Sequence, residues 1–435
     1  MTQVAEHTDR AQYQADIDTL AAADTNDSLS ALRDAGAVQF SEMEFPHYKE
    51  EAWRHTNIKP ILKNAFSTVI GASSASVSID DLAAHSYAKD GLVEVVLVDG
   101  IFSSALSSLD NLPNGVTLSS LAASTDSVDQ LGEIVNYTNA FVALNTSLVQ
   151  DGICISVEKN TQVEVAVHIL YVTTGQANTA THPRNLIVAG ESSELNVIES
   201  YVGLNDESET LTNGVCEIVV GDNANVTRHK IVSEGASAHH LMTTQAVLGR
   251  DSRFTAFAMT LSGQTVRNEL CVKMTGPGGH CDLNGLYLND GDRVIDNALF
   301  VEHASAKCYS RMGYKGVLDG NSTANFTGMV LVPQDSQQTD SDQLNNNLLL
   351  SDKAVIDTKP QLEIFADDVQ CAHGATVTDL EESYMFYLMA RGISETKARR
   401  MLIRAFVAEI VEELEDEPLI EALEKRIDIW MERHV

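Results

Sequence analysis

The chain has 435 residues, 44% of them hydrophobic, which is long enough for about three domains and a large buried core. Its 29 basic and 62 acidic residues give a formal net charge of −33, which repels phosphates and argues against nucleic acid or an anionic membrane as a partner. No stretch approaches the roughly 18 apolar residues of a membrane span, and the N-terminus lacks a basic-then-apolar leader, so a cytoplasmic location is expected.

Residues 1–150 are predicted to form one mixed N-terminal region that is largely helical. Amphipathic patterns predict helices over 11–23 and 29–40. Further on, the run LVEVVLVDGIFSS predicts a β-hairpin, because Asp99-Gly100 is a strong tight-turn signal between two apolar runs. The segment 131–148 is ambiguous, with apolar residues at helical spacing.

Residues 151–365 are predicted to be a β core made of many short strands. Runs rich in Val, Ile and Leu are separated by turn clusters such as Gly221-Asp222-Asn223 and Asp319-Gly320-Asn321, which recur every few tens of residues. This periodicity favours a solenoid, in which stacked coils bury a continuous interior. The pattern alone leaves a pair of β-sandwiches or a propeller open.

The segment 359–392 brings a cysteine and a histidine together where a strand pattern changes to a helix pattern. Cys371 and His373 are predicted to lie on a short loop, and Thr378 with Glu381 to form a capping box that opens a helix. A thiolate and an imidazole one residue apart can face the same side of an extended backbone and bind a soft metal. Two ligands do not complete a site, and a structural role for both residues is the common alternative.

The six cysteines show no Cys-x-x-Cys pair and are expected to be reduced and mostly buried. A zinc site that combines His280, Cys281, His303 and Cys308 with the Cys371/His373 pair is a conceivable alternative. It is disfavoured because adjacent strand residues point to opposite faces.

Residues 366–435 are predicted to form a helical domain after the cysteine and histidine. An apolar stripe runs from Ala398 to Leu414, and Pro418 precedes a last short helix. In the first of these two helices, Lys397 and three arginines precede a group of glutamates, which is the reverse of the order that the helix macrodipole favours. Either a solvated face or a partner-docking surface explains this order.

Several segments together resemble the SufD family, scaffold subunits of Suf iron-sulfur cluster assembly. They are QLEIFADDVQCAHGAT with FYLMARGI, GPGGHCDLNGLYL, DNALFVEHASAKCYSRMGYKGVL, FTGMVLVPQDSQQTDSDQLNNNLLLSDKA and, more weakly, EEAWRHTNIKPI. The related SufB scaffold has His-Glu-Ala-Thr where this chain has His373-Gly374-Ala375-Thr376, which favours the SufD branch.

The resemblance implies a mainly β fold, with a right-handed parallel β-helix core, an N-terminal mixed helical region and a C-terminal helical domain. It also implies a non-catalytic scaffold in a heterodimer with a SufB-type scaffold. A transient iron-sulfur cluster would be shared with that partner through His373 and, less firmly, Cys371. The C-terminal helices would hold a SufC-type ATPase, with four candidate contact residues: Arg399, Arg400, Arg404 and Phe406.

The alternative function is that of a β-helix enzyme acting on polysaccharides, such as a lyase or isomerase. The solenoid pattern and the many acidic residues motivate it, and it predicts a long groove lined with paired carboxylates. The missing secretion signal and the helical tail argue against it.

Overall fold

A computed structural model describes residues 3–23, 28–64, 66–71, 77–86, 92–124, 130–135 and 138–434. Within them lie eight α-helices and two short 3-10 helices, the latter at Glu51–Trp53 and Leu121–Ala123. The α-helices are α1 (Gln3–Ala23), α2 (Ser30–Glu42), α3 (Lys59–Lys63), α4 (Ile79–Leu82), α5 (Ala140–Leu148), α6 (Glu382–Ala390), α7 (Glu395–Val411) and α8 (Glu417–His434).

The described residues form 21 strands in two sheets. The N-terminal strands are β1 (Ser67–Thr68), β2 (Val93–Val98), β3 (Ile101–Phe102) and β4 (Val116–Ser120). The others are β5 (Ile153–Val157), β6 (Val167–Thr173), β7 (Thr179–Thr181), β8 (Arg184–Ala189), β9 (Glu194–Gly203), β10 (Thr210–Val220), β11 (Asn225–Ser233), β12 (His239–Leu248), β13 (Arg253–Ser262), β14 (Thr265–Met274), β15 (His280–Asn289), β16 (Val294–Glu302), β17 (Tyr309–Leu318), β18 (Thr323–Val332), β19 (Thr339–Leu349), β20 (Val355–Ile364) and β21 (Val369–Asp379).

The core is a parallel β-solenoid. Strands β5, β8 and then the even-numbered strands from β10 to β20 lie side by side in one sheet, here called sheet A; β6 and the odd-numbered strands from β9 to β21 do so in the other, sheet B. From β8 onward the chain therefore passes from one sheet to the other at every turn, and each strand pairs in parallel with the strand two positions on. The predicted β-helix is confirmed, and the sandwich and propeller alternatives are wrong.

Side-chain alternation builds the interior of the solenoid. In β15, Cys281 and Leu283 point inward into the main core, while Leu286 and Leu288 join a second apolar cluster on the outside. This outer cluster is covered by α7 and α8. The apolar stripe predicted for α7 is buried at Ala398, Ile410, Val411 and Leu414 but exposed at Met401. Helix α8 buries Leu419, Leu423, Ile427 and Trp430 and is longer than predicted, at 18 residues.

The N-terminal region packs against sheet A near its first coils. Asn145 of α5 donates through Nδ2 to the backbone oxygens of Pro183 and Asn213, which ties the helix to the strands. Further along the sheet, the Arg267 guanidinium lies 4.0 Å from the ring centre of Trp53. The predicted hairpin is confirmed: β2 pairs antiparallel with β3, and Asp99 and Gly100 have φ values of 49° and 84°.

The predicted loop around the cysteine and histidine is wrong, because both residues lie within β21. Eleven successive register pairs with β19 hold this segment as a strand, which overrides the low strand propensity of its Ala, Gly and Asp residues. The predicted capping box is also wrong. Thr378 belongs to the strand, and Glu381 is the N-cap of α6 without a side-chain capping bond.

Candidate metal-binding and partner site at the open end of the solenoid

The solenoid ends in two long edge strands. β20 is the last strand of sheet A and β21 the last strand of sheet B, so each has one edge that no described strand pairs with. Large apolar side chains are exposed around them, including Val355, Val377 and Phe365, the last at 66% of its full accessible area. A long, exposed edge is a template for pairing with another chain.

Register places Cys371 and His373 over the opening of the solenoid interior. Cys371 lies opposite Ser341, and His373 lies opposite Gln343. Ser341 and Gln343 are buried inside the coil. Because neighbours in a parallel ladder point to the same face, Cys371 and His373 also point toward the interior, where the final coil leaves them half-exposed and exposed.

Unpartnered polar atoms lie in the coil next to these two residues. Gln343 donates through Nε2 to the backbone oxygen of Gln361, but its Oε1 has no hydrogen-bond partner among the described residues. The same holds for the Thr358 hydroxyl on β20. An unpaired buried acceptor costs free energy. Gln343 Oε1 lies beside Gly328 of β18, inside the coil.

A column of small polar side chains leads inward from Cys371. Its neighbour in register is Ser341, then Ser310, then Cys281. The hydroxyl oxygens of Ser341 and Ser310 are 2.9 Å apart, and His303 Nε2 lies 2.8 Å from Ser310 Oγ. Burial lowers the pKa of His303 to about 4, so its ring is neutral at neutral pH.

The adjoining part of the interior is held by an asparagine and tyrosine network. Asn347 donates through Nδ2 to Asn345 Oδ1 at 2.7 Å, and Asn345 Nδ2 lies 3.2 Å from the Tyr287 hydroxyl, which donates to Asn347 Oδ1. Of the three consecutive asparagines in β19, Asn345 and Asn347 point inward and belong to this network. The network stiffens the coil beneath β21.

The electrostatics of Cys371 favour the thiol over the thiolate. Partial burial raises the pKa of Cys371, and the nearby Asp340 carboxylate raises it further. Metal binding would therefore require deprotonation driven by the metal itself. Cys371 and His373 supply two donors, and no group of three or more His, Cys, Asp or Glu side chains in the described part of the chain is placed to hold a metal.

The zinc alternative is wrong. Cys281 is buried in the core, whereas His280 stacks on Tyr309 and lies 2.8 Å from an Asp282 oxygen. Cys308 is also buried, and all six cysteines are free thiols. Cys154 and Cys216 are buried as predicted, whereas Cys271 is only half-buried.

A second exposed surface lies on α6, a helix without a buried residue. Its side chains Tyr384, Phe386, Tyr387 and Met389 are all exposed, Phe386 at 75%. Together with the exposed Met401 of α7 they form what we call the α6 surface. Exposed aromatic and methionine side chains of this kind are typical of protein-binding surfaces. In the sequence this surface corresponds to the apolar run MFYLMA, which could equally well have been predicted to be buried in the core.

The predicted partner-binding residues of α7 make contacts within the chain. Arg399 donates to the backbone oxygen of Leu350, and Arg404 binds both Asp428 oxygens at 2.9 Å. Phe406 is half-buried under Lys315, whose Nζ lies 4.7 Å from the ring centre. Arg400 is half-buried. These residues thus attach α7 to the solenoid and to α8, and Arg404 is the exposed member of the four.

The reversed charge order of α7 has a structural explanation. Glu409 forms an ion pair with Lys315, and Glu413 forms one with Arg311 at 2.9 Å. Both basic residues lie on β17 of the solenoid. Cross-element pairing, rather than the helix macrodipole, therefore decides where the glutamates lie.

Comparison with known proteins identifies the family to which the chain belongs. The family described as "SUF system FeS cluster assembly, SufBD core domain" matches residues 171–406, and the "SufBD protein N-terminal region" matches residues 6–169. The chain therefore belongs to the SufBD family.

Relatives within this family include proteins named SufD. The iron-sulfur cluster assembly protein SufD of Escherichia coli is 32% identical over 386 residues, covering 88% of this chain and 88% of the relative. An iron-sulfur cluster assembly SufBD family protein of Synechocystis is 29% identical, covering 90% and 88%. The chloroplastic protein ABCI7 of Arabidopsis thaliana is 28% identical, covering 88% and 82%.

These findings confirm the resemblance to SufD stated from the sequence and assign the chain a role in iron-sulfur cluster assembly. None of these relatives is described as acting on a polysaccharide, so the alternative enzyme function gains no support. No helix within the described residues is both long and apolar enough to cross a membrane.

Proposed function

We propose that the chain is a non-catalytic scaffold subunit that pairs with a SufB-type paralogue through the open end of its solenoid. Cys371 and His373 would be two of the ligands of a nascent iron-sulfur cluster, which is the cargo of the assembly and not a resident cofactor. The observation that carries the proposal is the placement of these two soft donors two residues apart on the last strand of sheet B, one edge of which no described strand pairs with.

The geometry of the donors supports a shared site. An iron-sulfur cluster takes thiolate and, in some centres, imidazole ligands, and it needs more than two of them. This end of the chain offers one of each, and a partner strand lying along β21 would bring its own side chains to the same opening.

A SufC-type ATPase would dock on the C-terminal helices, with the α6 surface at its centre. Exposed Phe386 and Tyr387 are suitable anchors, because aromatic side chains dominate the energetics of protein interfaces. Arg404 and Arg400 would lie at the edge of this interface. Arg399 and Phe406 would support it by fixing α7 on the solenoid.

The free thiols support a reducing location such as the cytoplasm. The six cysteines form no disulfide, and four of them are buried. Disulfides are rare where thiols are kept reduced, and a scaffold for an oxygen-sensitive cluster belongs in such a compartment.

The test is anaerobic copurification of the chain with its SufB-type and SufC-type partners, followed by cluster formation from iron and sulfide. His373→Ala should leave the complex assembled but lower the cluster yield at least several-fold, because one ligand is removed without disturbing the strand pairing. Cys371→Ser should lower it as well.

Gln370→Ala is the matched control. Gln370 is exposed on the same strand, but its neighbour in register, Asp340, points outward, so its side chain lies on the opposite face from the donors. An unchanged cluster yield in His373→Ala, or an equal loss in Gln370→Ala, would contradict the ligand role.

A further inference from the structure

A short segment of the N-terminal region lies across the outer face of sheet A and reaches the last strand of that sheet. The segment comprises residues 51–56, and we call it the clasp. Trp53 belongs to the N-terminal apolar cluster, where its ring centre lies 5.8 Å from that of Phe141. Ile58, just past the clasp, is buried in the same cluster. These apolar contacts fix the clasp to the N-terminal region.

One register column of sheet A supplies the polar partners of the clasp. It consists of successive neighbours on β14, β16, β18 and β20, namely Arg267, Asp296, Asn325 and Asp357. Because the flanking positions of these strands lie in or against the main core, the column itself faces outward. The clasp therefore crosses four strands and meets one member of the column on each of them.

On β14 and β16 the contacts of the clasp are buried. The Thr56 hydroxyl donates to an Asp296 carboxylate oxygen, and Arg267 forms an ion pair with the same oxygen while its guanidinium lies against the Trp53 ring. Arg267 and Asp296 are each 3% exposed. Buried charge pairs are only weakly screened by salt, so this half of the clasp is firmly attached to the body of the solenoid.

Toward the open end the contacts of the clasp become exposed. Asn325 donates through Nδ2 to the backbone oxygen of His55 at 3.0 Å. On β20, an Asp357 carboxylate oxygen lies 3.0 Å from His55 Nδ1, and Lys359 forms an ion pair with Glu51. The side chains of Asp357 and Lys359 are 48% and 44% exposed. Because exposed ion pairs are weak and screened by salt, β20 is the strand that the clasp holds least tightly.

We propose that Glu51 and His55 of the clasp are positioning residues, which keep β20 ordered and thereby set the affinity of the open end for its partner. In the described structure β20 is paired along one edge only, with β18, and such a strand opens more easily than one paired along both edges. The clasp gives it a second support on its outer face.

An edge that is already ordered loses less conformational entropy when a partner strand binds to it, so the clasp should strengthen that binding. The effect on affinity rests on the proposed function, whereas the effect on the order of β20 does not. Strand β21 provides an internal reference, because the clasp has no hydrogen bond or ion pair with it among the described residues.

The first test is hydrogen exchange of the backbone amides in the isolated full chain, followed by mass spectrometry. Glu51→Ala/His55→Ala removes both side-chain contacts with β20 and leaves the buried half of the clasp intact. Exchange in β20 should accelerate roughly fivefold, as expected for the loss of two exposed ion pairs, while exchange in β21 is unchanged. The control Lys49→Ala/Arg54→Ala removes two exposed side chains of the same region that have no hydrogen bond or ion pair with sheet A in the described structure, and it should have no effect.

Charge reversal and salt show whether the ion pairs themselves are responsible. Glu51→Lys should accelerate exchange in β20, and Glu51→Lys/Lys359→Glu should restore it, because the pair forms again with opposite polarity. Raising the salt concentration from about 0.05 M to about 0.5 M should accelerate exchange in β20 of the unaltered chain but not of Glu51→Ala/His55→Ala.

The second test is the affinity for a SufB-type partner, measured by surface plasmon resonance. Glu51→Ala/His55→Ala should bind roughly fivefold more weakly with an unchanged thermal unfolding midpoint, which separates the positioning of β20 from damage to the fold.

Two results would overturn the role of the clasp: exchange in β20 that is unchanged in the isolated variant or equally accelerated in the control, and accelerated exchange with unaltered affinity. Failure of the unaltered chain to bind the partner would instead count against the proposed function.

Discussion

The body of the solenoid and its open end treat polar groups differently. In the body, buried charges are paired: Arg184 lies 2.6 Å from Glu217, and Arg228 binds both Glu199 oxygens at 2.7 and 2.9 Å. At the open end, the donors Cys371 and His373 face the same interior without such partners. The same ladder geometry therefore yields paired buried charges in one region and two soft donors without an ion pair in the other, among the described residues.

This difference supports the proposal that the last coil pairs with a neighbouring chain. Closing the solenoid would need only a polar cap over β20 and β21, as terminal repeats of solenoids commonly have. Instead α7 and α8 cover the outer face of sheet B, and the edges stay open.

The largest expected effect concerns the buried charge pairs of the body. Glu199→Leu should lower the free energy of unfolding by about 3–5 kcal/mol, because it leaves Arg228 buried and unpaired. The double change Glu199→Leu/Arg228→Leu should be much milder. Urea unfolding followed by circular dichroism measures the free energy of unfolding of both variants, with the exposed Asp342→Asn as the control. If the single variant is as stable as the double variant, the account is contradicted.

A smaller effect is expected on the C-terminal helices. Phe386→Ser should weaken binding of a SufC-type ATPase by about 2 kcal/mol or more, roughly thirtyfold, while leaving the thermal stability of the chain unchanged. Ile429→Ser is the matched control, an exposed apolar residue on α8 outside the α6 surface. Surface plasmon resonance measures the affinities, and similar affinities of the two variants would remove α6 from the interface.

The smallest effect is a pH dependence of the body. The folded pKa of His303 is about 4, against a usual value of 6.5, so between these values the unfolded chain binds the proton and the folded chain does not. The free energy of unfolding should therefore fall as the pH drops from 6.5 to 4. At pH 5.5 the loss due to this histidine, relative to the fully deprotonated state, is about 1.4 kcal/mol.

The variant His303→Gln should flatten that pH dependence. Ser310→Ala removes the same hydrogen bond but keeps the titrating ring, so it should lower stability without flattening the profile. Unfolding midpoints measured from pH 4 to pH 7 distinguish the two variants. Equal slopes for His303→Gln and the unaltered protein would show that this ring does not sense pH.

Much of the fold could be predicted from the sequence, because turn clusters and apolar runs repeat with the coils. The hairpin at Asp99-Gly100 and the burial of most of the α7 stripe followed from local rules. The strand β21 did not, because its Ala, Gly and Asp residues have low strand propensity and only the ladder with β19 makes them a strand.

The candidate site was predictable in its residue types but not in its surroundings. Cys371 and His373 stand out by spacing alone. By contrast, the unpartnered Gln343 Oε1 and the internal roles of Arg404 and Phe406 depend on contacts between residues far apart in the chain. The charge order of α7 likewise has its explanation on β17, which no local rule could supply.

The most direct test of the open end is hydrogen exchange of the backbone amides, measured by mass spectrometry with and without the SufB-type partner. The account predicts that exchange slows most in β20 and β21, whose free edges become paired, while the strands of the body are unchanged. Protection elsewhere, with these two strands exchanging as fast in the complex as in the isolated chain, would contradict it.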